Sequence, residues 1–204
     1  GGYEGHIEGQ TTIEVTKGKV NKNIYGGGYA GEVEKTEVKI EEAEGSYGEI
    51  EIKGSVFGGG EGLTARVSES TKVQIKLNLD QTVEEIEVDT ESRTTTSGES
   101  ACEVSLREGY SYIDGSVYGG GDIGQIGIGE INTSSNNATI SKGGRSEVVV
   151  ENGYIGGSVF GGGSGIPKEE TYRLEMGTIY GSTKVEIKGG YIETNVYGGG
   201  TQSR

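Results

Sequence analysis

Tryptophan is absent from this chain of 204 residues, and proline, cysteine, methionine and histidine occur once each. Only 30% of the residues are hydrophobic, which excludes a thick globular core. One proline against 41 glycines, with no Gly-X-Y period, excludes collagen. The lone thiol, Cys102, cannot form a disulfide within the chain and reads as a small, half-buried apolar side chain. Basic charge is also scarce: 18 Lys and Arg face 32 Asp and Glu, a net charge of -14 that opposes binding to nucleic acid or anionic lipid. No apolar run approaches the span of a bilayer, so membrane insertion is not expected. Residue 1 is Gly with no signal peptide before it, which leads us to expect a processed chain or a segment of a longer one.

What the chain does contain is short alternating runs of β-branched and aromatic residues, including 12 Tyr, bounded by glycine. A phrase of Asn or Ser, an aliphatic residue, an aromatic residue and three glycines occurs five times. The glycines are Gly26, Gly27 and Gly28; Gly58, Gly59 and Gly60; Gly119, Gly120 and Gly121; Gly161, Gly162 and Gly163; and Gly198, Gly199 and Gly200. The aromatics before them are Tyr25, Phe57, Tyr118, Phe160 and Tyr197. Four residues before the aliphatic member stands another aliphatic residue every time: Val20, Ile52, Ile113, Ile155 and Ile192. Between the two sits Gly54, Gly115 or Gly157 in three copies, Thr194 in one, and Lys22, which marks an edge or opening, in the first.

A second phrase, two aliphatics one residue apart, precedes each of these: Ile13/Val15, Val38/Ile40, Val104/Leu106, Val148/Val150 and Val185/Ile187. A sixth copy, Val73/Ile75, lacks a triple glycine and reads as a degenerate unit. A third, less regular strand is expected in stretches such as 31–35, 63–68, 124–133 and 172–180. Such self-similarity signals a repeat architecture. The expected fold is an all-β solenoid, or β-helix, of about six coils with short strands, glycine-rich corners and protruding loop insertions. It forms a single repeat domain over residues 1–204, and the pattern leaves its handedness open. Triple glycine suits a sharp corner, because glycine reaches positive φ at little cost and lets neighbouring backbones approach. The residues flanking the second phrase mix charge signs from copy to copy, as stacked coils in register require.

The stretch Lys184-Val185-Glu186-Ile187-Lys188-Gly189-Gly190-Tyr191-Ile192-Glu193-Thr194-Asn195-Val196-Tyr197-Gly198-Gly199-Gly200 resembles the V-x-I-x-G-G-x-I-x-G-N/S-V-Y-G-G-G repeats of bacterial secreted and surface-anchored proteins of the adhesin-like type. The resemblance extends over most of the chain and departs from the pattern at 77–103 and 124–146. It implies an extracellular or cell-surface location and transfers no catalytic residue.

Residues 1–13 resemble the stretch after the first triple glycine, and residue 204 falls just past the last one. Joining copies there preserves the repeat spacing, so the expected function is a structural subunit of an extracellular filament or surface fibre, stacking head to tail on itself. The alternative is an adhesin repeat that binds carbohydrate on the aromatic column, although such columns also stabilise stacked coils. No catalytic, cofactor or metal site is expected. The glycines lead into no helix that could cradle phosphate, Asp122 after Gly121 is a weak calcium signal, and the sole His6 lies outside any cluster. Asn132 and Asn137 each open a glycosylation acceptor pattern.

Overall fold

The computed structural model describes residues 5–79, 109–132, 135, 137–165 and 176–201. Among these residues the fold is all-β, with seventeen strands and no helix. Fifteen strands form three parallel five-stranded sheets. In sheet order, the first holds β1 (His6–Val15), β4 (Glu32–Glu41), β7 (Val67–Lys76), β12 (Gly144–Asn152) and β15 (Gly181–Ile187). The second holds β2 (Gly18–Val20), β5 (Ile50–Ile52), β8 (Tyr112–Ile113), β13 (Tyr154–Ile155) and β16 (Tyr191–Ile192). The third holds β3 (Ile24–Tyr25), β6 (Val56–Phe57), β9 (Val117–Tyr118), β14 (Val159–Phe160) and β17 (Val196–Tyr197). The chain therefore passes through the three sheets in the same order five times, an arrangement compatible with a β-solenoid. The remaining two strands, β10 (Ile128–Asn132) and β11 (Asn137–Lys142), make an antiparallel hairpin between the third and fourth passes.

The alternation of apolar residues is what fixes the register, because a slip of one residue would turn every inward side chain outward. Ile13, Val38, Val73, Val148 and Val185 follow one another across the first sheet, with Val15, Ile40, Ile75, Val150 and Ile187 beside them. Across the second run Val20, Ile52, Ile113, Ile155 and Ile192, and across the third Ile24, Val56, Val117, Val159 and Val196. The interior members of these columns merge into one narrow core between the sheets. Each strand covers its neighbours, so few apolar residues suffice.

Two expectations change. Val73 and Ile75 are not a degenerate unit: they fill the rung between Val38 and Val148. Val104 and Leu106, one of the six copies counted, lie outside the described residues, among which each sheet holds five strands. The third strand is not separate in the first passes. It is the leading half of β1, β4 and β7, where β1 and β7 each bulge by one residue against Glu34 of β4, and it contributes Ile7, Val33 and Val67 to a second small core with Ile126 and Ile179. Residues 128–132, expected in that strand, join the hairpin instead.

Glu42, fully buried after β4, has no counterpart in the repeat. Its Oε1 accepts hydrogen bonds from Ser111 Oγ at 2.6 Å and Glu49 N at 3.0 Å, and Oε2 accepts from Asn78 N at 3.0 Å. Ser111 Oγ in turn accepts from Ile50 N at 2.9 Å. The carboxylate thus ties residue 78, just past β7, to residue 111, just before β8, and satisfies donors that burial would otherwise strand. Replacing it with an isosteric apolar group leaves those donors unpaired at about 1–3 kcal/mol each. Glu42→Leu should therefore lower the stability of the chain markedly, and Glu42→Gln, which keeps acceptor capacity, by less; urea denaturation of the two variants measures the difference.

Candidate assembly surface

The triple glycines lie where sheet three ends, and of the two reasons for glycine there, positive φ and close backbone approach, only the second applies. None of the fifteen has positive φ. Positive φ occurs at other glycines, among them Gly18, Gly153 and Gly190 on the way from the first sheet to the second. What the triplets require is proximity. A Cβ on the middle glycine would meet a glycine nitrogen of the next pass at 2.8 Å for Gly27, 2.7 Å for Gly59, 2.7 Å for Gly120 and 2.6 Å for Gly162. Backbone sits where a methyl group would have to go.

Proximity is used to make hydrogen bonds. The N–H groups of Ile24, Val56, Val117 and Val159 donate to the carbonyls of Ser55, Ser116, Ser158 and Asn195 at 2.9–3.0 Å. Gly26, Gly58, Gly119 and Gly161 donate to the aromatic residue of the following pass at 2.9 Å, and Gly27, Gly59, Gly120 and Gly162 to Gly59, Gly120, Gly162 and Gly199. Each triplet's first carbonyl is also capped from within its own pass: Thr11, Thr36, Thr71, Ser146 and Thr183 donate a hydroxyl to Gly26, Gly58, Gly119, Gly161 and Gly198 at 2.5–2.7 Å.

Before each aliphatic residue of sheet three stands Asn or Ser, and its side-chain oxygen accepts the backbone N–H of its counterpart one pass on. Ser55 N donates to Asn23 Oδ1 at 2.8 Å, Ser116 N to Ser55 Oγ at 3.0 Å, Ser158 N to Ser116 Oγ at 3.0 Å and Asn195 N to Ser158 Oγ at 3.3 Å. This polar column was visible in the sequence only as a recurring Asn or Ser, with nothing to say what it touched.

The aromatic column forms as one stack. Tyr25, Phe57, Tyr118, Phe160 and Tyr197 lie 5.0, 4.7, 4.7 and 4.9 Å apart, centroid to centroid, with neighbouring planes within 12° of parallel. The interior rings are buried and cover one another's faces, the surface a sugar ring would need. Phe57, Tyr118 and Phe160 are therefore packing residues rather than an outward platform.

Charge follows the same columns. Lys39 pairs with Glu14, Lys72 with Glu37, Lys76 with Glu41, Lys184 with Glu147 and Lys19 with Glu51, all between adjacent passes. Hydrogen bonds from Lys142 and Lys35 hold the Glu69 carboxyl below its ordinary value of 4.5, tying the hairpin to sheet one. The Glu186 and Glu147 carboxylates raise Lys184 in the same way.

The fifth pass breaks the pattern of burial. Val196 is 48% exposed and Tyr197 45%, whereas Val159 is fully buried and Phe160 nearly so. Gly198 and Gly199 are exposed, and a Cβ on either would meet nothing within 4 Å. The N–H groups of Val196, Gly198 and Gly199 have no sixth strand among the described residues to receive them. At the other edge, β1, β2 and β3 each have one neighbour. Of the remaining sequence candidates, His6 is exposed opposite Glu32, Asp122 is buried with Oδ2 3.5 Å from Tyr25 Oη, and Asn132 pairs with Asn137 on the exposed hairpin. Cys102 lies outside the described residues. Comparison with family models, curated proteins and solved structures finds no match to this chain.

Two measurements check this geometry. Gly120→Ala should destabilise the chain by about 1–3 kcal/mol through overpacking, while Gly199→Ala in the isolated chain stays within about 0.5 kcal/mol of the parent; thermal melts compare them. The Glu69 pairs stabilise above the ordinary carboxylate value and lose that contribution as pH falls through the depressed folded value. Melting temperature against pH should accordingly fall less steeply below 4.5 for Glu69→Gln than for the parent.

Proposed function

We propose that the chain is a structural β-solenoid, with one coil per pass through the three sheets, that stacks end to end on further copies of itself into an extracellular filament or surface fibre. One observation carries the reading: each pass meets the next through the same groups in the same order, and the outer faces of the fifth and first passes match in that order. Continuing the internal register sets Val185 against Ile13, Ile192 against Val20, Val196 against Ile24 and Tyr197 against Tyr25 of a second copy. Gly198 N and Gly199 N then donate to Tyr25 and Gly27 carbonyls, and Asn195 Oδ1 accepts from Asn23 N, repeating bonds made four times inside the chain.

An exposed parallel edge is a template for strand addition, and the contact is head to tail, so it does not close on itself. The extracellular or surface setting rests on the resemblance of the repeats. Carbohydrate binding has less to act on, because the interior ring faces are occupied by neighbouring rings.

Electron microscopy and sedimentation of the purified chain over a concentration series test the proposal. Unbranched fibres one chain wide are the expected result, and a monomer that persists at high concentration would overturn it. Gly199→Val, placed where space is open in one copy and closed at the contact, should abolish fibres without shifting the monomer's melting temperature.

A further inference from the structure

Accepting the end-to-end reading above, we infer that the joint between copies carries one like-charged rung, Glu14 against Glu186, which makes assembly dependent on salt. In every paired rung of the three parallel sheets, a charged residue faces either an opposite charge or an uncharged residue; Glu8, Glu34 and Glu69 sit at bulges and belong to no rung. Glu14 faces Lys39, Glu37 faces Lys72, Glu41 faces Lys76, Lys72 and Lys184 both face Glu147, and Lys19 faces Glu51. No described rung of these sheets sets like charges together.

Carrying the same register across the joint breaks this rule once. With Val185 against Ile13, Lys184 meets the neutral Thr12, but Glu186 meets Glu14. Like charges directly opposite in a sheet are destabilising.

The repulsion is moderate, because each carboxylate has lysine on its own side of the joint. Glu186 Oε2 lies 2.7 Å from Lys184 Nζ, with Lys188 also acting on it and the uncharged Val149 as its partner within the chain. Glu14 Oε1 lies 3.6 Å from Lys39 Nζ. All are at the surface, where mobile ions reach them and the screening length contracts from about 30 Å at 0.01 M salt to about 10 Å at 0.1 M.

Sheet two fits less closely at the joint as well. A Cβ on Gly54, Gly115 or Gly157 would meet the preceding pass's carbonyl carbon at 2.5–2.8 Å; the fifth pass carries Thr194 at this position over Gly157, and at the joint Lys22 of the incoming copy would face Thr194, two side chains where the interior contacts have at most one. The joint is therefore weaker than the contacts between passes within one chain. Filaments should come apart between copies before the copies themselves unfold.

The test is the critical concentration for assembly of the full chain, by light scattering and sedimentation, from roughly 10 to 300 mM NaCl. The parent's critical concentration should fall as salt rises. Glu14→Gln and Glu186→Gln should each lower it at low salt by about threefold. The double variant should do no better than either single one, because removing one charge already removes the repulsion. Glu130→Gln, the same change in net charge on the hairpin, should match the parent.

If the two single effects multiply, or Glu130→Gln reproduces them, net charge alone is responsible and the like-charged rung is refuted. If the parent forms filaments with no dependence on salt, the rung is likewise refuted while the filament stands. If neither the parent nor any variant assembles at any salt, the end-to-end reading fails and takes the rung with it.

Discussion

The distance between successive passes is the constraint on which the rest of this structure depends. Parallel strands lie about 4.8 Å apart, and each column of residues has to suit that interval. Aromatic rings suit it, and stack at 4.7–5.0 Å. A serine or asparagine oxygen bridges it to reach the next backbone N–H. Glycine is needed wherever the backbone itself fills the space a side chain would take. The triplets are the densest instance, and they combine a steric demand with the hydrogen bonds that the close approach makes possible.

The same interval explains how a chain poor in apolar residues folds. Each interior aliphatic residue is covered above and below by its counterpart in the adjacent pass, so the core is a set of narrow columns rather than a thick layer. Surface charge obeys the same geometry: acid and base alternate through Glu37, Lys72, Glu147 and Lys184, where any two residues in succession are neighbours in space. Isolated pairs of this kind contribute little to stability. Their larger effect is on register, since a strand shifted by two residues would keep its apolar face inward but set the wrong charges together.

The aliphatic columns were legible in the sequence because alternation and repeat spacing are local patterns. The triple glycines were legible as positions, with positive φ and close backbone approach as two reasons for them, and only the backbone angles, none positive, separate the two. The choice between Val73/Ile75 and Val104/Leu106 as partners of the third triplet could not be made from spacing, because an insertion of any length can leave the coil and return. Glu42 was invisible for a related reason. Its partner Ser111 lies 69 residues away, and no periodicity connects a buried carboxylate to the single hydroxyl it holds. The open faces of the fifth pass, likewise, were suggested by where the repeat phrase fell, but the loss of cover over Val196, Tyr197, Gly198 and Gly199 appears only once the passes are stacked.

The hydroxyl that caps each glycine carbonyl comes from the same pass. Fifteen residues separate the two partners in the first, fourth and fifth passes, 22 in the second and 48 in the third, yet the bond is the same throughout. That carbonyl is thus satisfied within its own pass, whatever lies between its sheets, while the N–H groups beside it are satisfied by the next pass. Evolution could lengthen such a unit between its sheets without orphaning that carbonyl, and a protein engineer grafting a foreign peptide into this scaffold would find the same licence in the long third pass.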